Sequence, residues 1–308
     1  VKFFDSGKHD ITMIKTSQGY ELKGSFNHPV LCWAINEFGT PHIIWKQLEE
    51  VTKKDYDLIN RNYGLFSKSN LDLKNFQVSS SKKEKDIPLP SKMNKSLAFL
   101  LGALVSEGSF HQNKIIFNNN DNQFYSKVKQ NILMNFRGIK LYERKVKGGC
   151  TELDFYHQKP VNFLKNIGLK SVKSDLKEIP FSVLNSKQDV IREFLVALFE
   201  GDGSVQAITD KRHGGKSIQL CYHSKSKKLI SQLKYVLLNF GIVTTKPYVD
   251  KRNGCYKLSI SGTDNILKFK QKIGFFSERK KSILAEIDTI NKSRLSKTDT
   301  IPYLNEYL

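Results

Sequence analysis

Ser96-Leu-Ala-Phe-Leu-Leu-Gly-Ala-Leu-Val-Ser-Glu-Gly-Ser-Phe110 is matched 95 positions later by Ile191-Arg-Glu-Phe-Leu-Val-Ala-Leu-Phe-Glu-Gly-Asp-Gly-Ser-Val205, with Gly108 falling on Gly203. Three further matches follow in the same order. Phe124–Ile139 is echoed by Lys228–Ile242, Gly149-Cys150 by Gly254-Cys255, and Phe163–Leu169 by Phe269–Phe275, where Gly168 meets Gly274. The offset grows to 105 and then 106, which places an insertion in the second copy around Asp210–Lys216. Chance can supply one such match but not four in register, so the chain is internally duplicated. Each copy reads helix, two strands, helix, two strands, helix. The expected fold is α+β: two αββαββα halves, residues 95–190 and 191–308, related by a pseudo-twofold axis within one monomeric chain.

Ala98, Gly102 and Ser106 recur at i, i+4 and i+8, and Ala197 and Gly201 do the same in the second copy. Small residues every four positions make a flat ridge on which two helix backbones approach closely. Leu97, Leu100, Leu101 and Leu104, and likewise Phe194, Leu195, Leu198 and Phe199, flank the ridge and are expected to bury into each half. The twofold axis is therefore expected between these helices. Each helix ends in an acid followed by glycine, Glu107-Gly108 and Asp202-Gly203. A capping glycine beside a solvated acid accounts for one such pair. Two acids at the same step of a close-packed pair would meet at the negative ends of two helix dipoles. Like charges that close shift each other's pKa or recruit a cation. A two-carboxylate Mg2+ site suits phosphodiester hydrolysis.

Leu100–Gly108 (LLGALVSEG) and Leu195–Gly203 (LVALFEGDG) resemble the two motifs of single-chain LAGLIDADG homing endonucleases, and the resemblance spans about residues 94–290. The first motif departs from the pattern: Glu107 takes the acidic position and Val105 stands where Asp is usual. Glu can also ligate a metal. The resemblance implies a site-specific endonuclease that hydrolyses both strands of a long asymmetric double-stranded DNA target. It implies that Glu107 and Asp202 bind Mg2+, helped by the main-chain carbonyls of Ser106 and Gly201. It further implies that Mn2+ can substitute and that Ca2+ supports binding without cleavage. Lys177-Glu-Ile-Pro180 resembles the family's Lys-x-Ile-Pro element, and Gly274–Lys281 (GFFSERKK) the matching one after the second repeat. Lys177 and Lys280 are therefore the expected catalytic lysines, although spacing does not separate Lys280 from Lys281. Such a lysine activates water or stabilises the charged transition state. Taken singly, each also reads as a solvated surface lysine.

The resemblance also implies saddle-shaped sheets lying along the major groove, with DNA contacts on one face of alternating side chains. The expected contacts are His111, Gln112, Lys114, Asn118, Arg144, Lys145 and Lys147 in the first copy. In the second they are Gln206, Lys211, Arg212, Lys216, Gln219, Lys246, Lys251, Arg252 and Lys257. Which of them read bases and which touch phosphate is not legible from sequence.

Charge agrees with a polyanionic partner. The chain holds 50 Lys and Arg against 30 Asp and Glu, a net charge of +20. Residues 1–90 carry 13 and 11 of these, so nearly all the excess lies in residues 91–308. Such a distribution suits a phosphate backbone, and the DNA-cutting machinery is expected to be whole without the first 90 residues. A membrane surface would also attract cations, but no basic amphipathic helix stands out. The longest apolar stretch, Leu97–Val105, is too short to span a bilayer. The four cysteines lack metal-binding spacing, so structural zinc is not expected, and they read as reduced, intracellular thiols.

The first region, residues 1–81, is expected to be mainly β, with strands near Ile11–Thr16 and Tyr20–Lys23. Residues 82–94 (KKEKDIPLPSKMN) read as a linker. Thr16–Leu31 resembles the Thr-x-x-His block of intein (Hint) domains, with Ser25 in the Thr place and His28 as the histidine. A turn histidine before Pro29 is the plainer reading. The chain starts at Val1 and ends Asn305-Glu-Tyr-Leu308, so splicing by the chain as given is not expected and a degenerate Hint-like remnant is. Two other functions share the fold: a DNA-binding regulator that does not cut, and an RNA maturase.

Overall fold

Asn94 opens the first central helix. Its Oδ1 accepts the Leu97 N–H at 2.9 Å, satisfying a donor that the first helical turn leaves open. From there α1 runs Lys95–Ser106. The computed structural model describes residues 5, 7–57, 64–80, 85–111, 114–146, 149–209 and 215–290. Among these the chain divides into two compact units, residues 5–57 and 64–290.

The smaller unit is built of β1 (Thr12–Lys15), β2 (Glu21–Gly24), β3 (Pro29–Ile35), β4 (Pro41–Gln47) and β5 (Tyr56–Asp57). β1 and β2 form an antiparallel hairpin, and β4-β3-β5 a three-stranded sheet over a small core of Val30, Cys32 and Leu48. Ser25 and His28 lie in the turn between β2 and β3, where the His28 N–H donates to Ser25 O at 3.0 Å.

In the larger unit α1 is followed by β6 (Gly108–His111), β7 (Lys114–Asn119), α2 (Asn122–Asn135), β8 (Tyr142–Lys145), β9 (Thr151–Tyr156), α3 (Gln158–Asn166) and the short α4 (Phe181–Leu184). The order then recurs as α5 (Gln188–Asp202), β10 (Gly203–Thr209), β11 (Lys216–Ser224), α6 (Lys227–Asn239), β12 (Tyr248–Asp250), β13 (Cys255–Ile260), α7 (Thr263–Lys272) and α8 (Glu278–Ala285). Each half forms a four-stranded antiparallel sheet of the same strand order, β6-β7-β9-β8 and β10-β11-β13-β12. The fold is α+β, as expected. Matching helices begin alike: Asp121 Oδ1 caps α2 by accepting the Phe124 N–H, and Ser226 Oγ caps α6 by accepting the Leu229 N–H. Gly168 and Gly274, paired in the sequence, leave α3 and α7 with φ of 107° and 74°. Only glycine takes such angles cheaply, which is why the repeat kept them legible.

The flanking residues Leu97, Leu100, Leu101 and Leu104, with Phe194, Leu195, Leu198 and Phe199, are all buried in one continuous core that spans both halves. Burying each such side chain contributes about 1.5–3 kcal/mol. Among the described residues no helix is long and apolar enough to cross a membrane.

The segment just before α1 departs from the expected domain plan. Residues 82–94 read as a linker and 64–81 as part of the first region, yet Leu73, Ile87 and Met93 are buried in the core of the larger unit. Leu73 N–H donates to Ser91 O and Met93 N–H to Leu71 O, so the segment folds back on itself as a strap. Phe66 packs edge-on against Phe240 at 5.0 Å, and Phe76 against Phe181 at 5.4 Å, so the strap reaches both halves. Its prolines and charges give the stretch the composition of a linker. Its apolar residues follow no helical or strand period, so no pattern marks them for burial.

Candidate active site and nucleic-acid face

A Cβ on Gly102 would overlap Phe194 O and lie 3.0 Å from Ala197 Cβ. One turn further along α1, a Cβ on Gly201 would overlap Ser106 Oγ and approach Glu107 Cγ at 3.1 Å. The small-residue ridge therefore lets the ends of α1 and α5 meet, with Glu107 against the residue that precedes Asp202. Ser106 turns its hydroxyl back onto Gly102 O and Ala103 O, both at 3.1 Å, and stays buried. The glycines after the acids are not left-handed caps. Gly203 is extended, with φ −82° and ψ 145°, and Gly108 begins β6. A Cβ on either would overlap the last-turn carbonyl of its own helix, Leu104 O or Phe199 O. They let each strand double back directly over the helix end, which fixes the direction of the acid before it.

The two carboxylates sit in each other's field and partly out of water. Burial first, and then the Glu107 charge, pushes Asp202 up to about 7. Burial raises Glu107 as well, against the pull of Lys177 and Lys280. Burial lowers Lys177, while Asp202 and Glu107 draw it back up. Lys177 Nζ donates to Ser106 O at 3.0 Å, so it lies at the end of α1. Lys280 is buried at the end of α5 and donates to Gly203 O at 2.8 Å. The structure thus brings together Glu107, Asp202, Ser106, Gly201, Lys177 and Lys280. It does not bring Lys281, which is exposed and paired with Glu278 at 2.8 Å.

Two carboxylates flanked by main-chain carbonyls offer hard oxygen donors, which fits Mg2+ or Mn2+ rather than a soft metal. Among the described residues no cluster of three or more His, Cys, Asp and Glu side chains could hold a metal ion. The pair is therefore no closed cage. It suits a cation that takes its remaining ligands from water and substrate phosphate.

Strand pairing decides which expected DNA contacts share a face, because side chains alternate. In the second half Gln206 stands opposite Gln219, and His223 opposite Lys257. These four lie on the sheet face away from buried Leu220, Tyr222 and Leu258. Lys216 has the parity of buried Ile218 and Leu220, so it belongs to the other face at the strand's end. In the first half Lys114, Asn118 and Arg144 share the outer face with Tyr142 and Tyr156, whose rings stack at 5.3 Å. Lys145 pairs with Thr151 and has the parity of Glu143, which bonds Tyr125 of α2 on the helix side. Lys145 and Lys216 are thus corrected off the outer faces, since a strand shows a given face only every second residue.

Lys246 is exposed ahead of β12, and Lys251 and Arg252 occupy the turn between β12 and β13. Gln112, Lys147, Lys211 and Arg212, and the His111 side chain, lie outside the described residues.

Four features were missed by the sequence reading. Lys114 and Arg144 are already paired, with Asp154 at 2.7 Å and Glu152 at 2.5 Å. Tyr222, fully buried, donates its hydroxyl to Asp202 Oδ2 at 3.3 Å. Glu200 is a buried acid two residues before Asp202. Its signal was the motif itself, which has an acid at this place, but the departure at Val105 in the first copy drew attention away from the acid that the second copy keeps. Asn118 Oδ1 is buried and accepts no hydrogen bond from the described residues. It lines a cleft of about 300 Å3 together with Glu107, Glu200 and Lys280.

A model described as a LAGLIDADG-like domain matches residues 189–274. The DNA gyrase A protein of Mycobacterium gordonae is 27% identical over 311 residues, covering 100% of this chain and 51% of that protein. The replication factor C small subunit of Methanocaldococcus jannaschii is 29% identical over 279 residues, 89% of this chain and 13% of that protein. The chain thus spans about half the length of the first relative and far less of the second. Among solved structures it is similar to the homing endonuclease I-DmoI in complex with DNA and Mn, at 21% identity and a TM-score of 0.42 over 59% of this chain and 98% of that one. Full-length DUF199/WhiA from Thermatoga maritima is 17% identical, with a TM-score of 0.42 over 72% of this chain and 66% of that one. The stretch that carries α5, Asp202 and the second four-stranded sheet therefore matches a LAGLIDADG-like domain set in an α+β fold.

Proposed function

We propose that this chain is a divalent-metal-dependent endonuclease that cuts both strands of double-stranded DNA at a carboxylate pair, Glu107 and Asp202. The observation that carries the reading is the meeting of the helix ends. Glu107 packs against Gly201, and Lys177 and Lys280 both act on the two acids through their charge. Two repelling, partly buried carboxylates with lysines beside them are the kind of pair that a hydrolytic site uses.

Glu107 and Asp202, with the main-chain carbonyls of Ser106 and Gly201, would hold Mg2+ or Mn2+. When bound, the ion supplies Lewis-acid polarisation of the scissile phosphate. Lys177 and Lys280 place positive charge where the phosphate gains negative charge. The outer sheet faces, with Gln206, Gln219, His223 and Lys257 on one side and Lys114, Asn118 and Arg144 on the other, supply groove and backbone contacts. One chain carries both halves, so the active species is a monomer.

The relatives also speak to origin. A gyrase component, a replication factor C component and the replicative helicase DnaB of Rhodothermus marinus do different work, yet they match 100%, 89% and 92% of this chain. A segment shared by such different proteins is most simply an inserted element. The β2–β3 turn with Ser25 and His28 then fits an intein-like remnant attached to the nuclease.

The test is digestion of a plasmid library carrying candidate insertion sites. In Mg2+ the expected product is linear DNA whose ends share one sequence. Specific binding in Ca2+ with no cut or nicked product in Mg2+ or Mn2+ would replace this reading with a non-cleaving DNA-binding protein.

A further inference from the structure

Glu200 lies in the last turn of α5, against the entry to α8, and is 5% exposed. A buried carboxylate is costly unless hydrogen bonds and charge replace its water. Glu200 Oε2 accepts the Phe276 N–H at 2.8 Å and the Ser277 N–H at 3.0 Å, and Oε1 accepts the Ser277 hydroxyl at 2.7 Å. These groups form the entry to α8, of which Ser277 is the N-cap. One turn later Lys280 reaches back to the same place. Its ammonium lies 3.8 Å from Glu200 Oε1 and donates to Gly203 O at 2.8 Å, to Phe199 O at 3.2 Å and to Glu200 O. The Phe275 ring covers it with its centroid at 5.3 Å. An ammonium has three N–H donors. All three end on main-chain oxygens around Asp202, which leaves none for a water.

The first half is built otherwise. Val105 occupies the place that matches Glu200. Among the described residues Lys177 Nζ makes one hydrogen bond, to Ser106 O. Its position is set by the backbone instead: Lys177 O accepts the Ser226 hydroxyl at 2.6 Å, and the Ile179 N–H donates to Gln232 Oε1 at 2.8 Å. Two lysines at matching places are thus held by unlike means.

We propose that Glu200 is a positioning residue for the second half of the site: it anchors the first turn of α8 and so locks Lys280 as an immobile charge beside Asp202, a device the first half lacks. Its consequence for cleavage rests on the nuclease reading above. Two strands are cut at two phosphates, and only one of these faces the locked lysine. Loss of Glu200 is then expected to slow one strand and spare the other.

Two measurements on the full chain test this, with Glu200→Ala and the near-isosteric Glu200→Gln. Without DNA or metal, amide hydrogen exchange at Phe276 and Ser277 is expected to speed up by about tenfold or more in Glu200→Ala, the worth of one hydrogen bond to a charged group. It should speed up by less in Glu200→Gln, whose amide oxygen still accepts. Protection across α1 and α5 should persist. On supercoiled target plasmid in Mg2+, the variants are expected to accumulate open-circle DNA several-fold over wild type while the first nick keeps its rate. Unchanged exchange at the two amides, or equal slowing of both strands, would overturn the proposal. If Glu200→Ala does not fold, Glu200→Gln still reads the cleavage effect, because its neutral amide no longer pairs with the Lys280 charge, and gives the smaller rise in exchange. A wild-type chain that cuts no DNA defeats the nuclease reading, and the exchange result then decides the anchoring by itself.

Discussion

Asp202 is the residue whose chemistry is most out of the ordinary. Burial and Glu107 hold its carboxyl near 7, far above an exposed aspartate. Such a group binds its proton more tightly folded than unfolded, so its contribution favours the fold at low pH and is lost as pH rises toward 7. Asp202→Asn removes the charge without removing an acceptor for the Tyr222 hydroxyl. In metal-free buffer at pH 8 the variant is expected to melt above wild type, and the gap should close as pH falls toward 4. Adding Mg2+ should raise the melting temperature of wild type and not of the variant, because only a native-state site gains from ligand. A variant that melts no higher at pH 8 would mean that Asp202 carries no such load. At this scale the motif made Glu107, Asp202, Lys177 and Lys280 legible. Glu200 was not: the acid that the motif expects at its place stood out only as a departure at Val105 in the first copy, and a duplicated pattern directs attention to what both copies share. Tyr222 was not, because it has the parity of a core position and only its hydroxyl tip reaches the acid.

Among the elements, α1 and α5 decide the site. Gly102 faces backbone, Phe194 O, which cannot swing aside as a side chain can. Gly102→Leu is therefore expected to cost about 3 kcal/mol or more by overpacking and to misplace both acids at once. Thermal unfolding and Mg2+ cleavage should fall together; unchanged values would show that the helices do not meet as described. The strap makes a second demand. A chain beginning at residue 91 loses Leu73 and Ile87 from the core and the Phe76–Phe181 contact. Each such side chain contributes roughly 1.5–3 kcal/mol when fully buried, so this shortened chain is expected to melt well below one beginning at residue 62. Equal stability of the two truncations would return the strap to the status of a linker. The repeat revealed the helices and strand pairs because it kept their turn glycines in register. It could not reveal the strap, which occurs once.

For the whole molecule, charge and its pairing shape how DNA is met. The excess of +18 in residues 91–308 predicts a steep salt dependence. The outer face of the first sheet delivers less of it than composition suggests, since Lys114 and Arg144 already hold Asp154 and Glu152. Asp154→Asn frees Lys114 for phosphate and is expected to tighten non-specific DNA binding several-fold at low salt. No change in a filter-binding or anisotropy titration would mean that this face stands off the duplex. The central claim is that Glu107 and Asp202 together do the cutting. Its most direct measurement uses plasmid bearing the recovered target, with wild type, Asp202→Asn and Glu107→Gln in parallel, scored for binding in Ca2+ and for cleavage in Mg2+. The account predicts that all three bind the target alike and that only wild type yields linear DNA. Linear product from Asp202→Asn at the wild-type rate would contradict it.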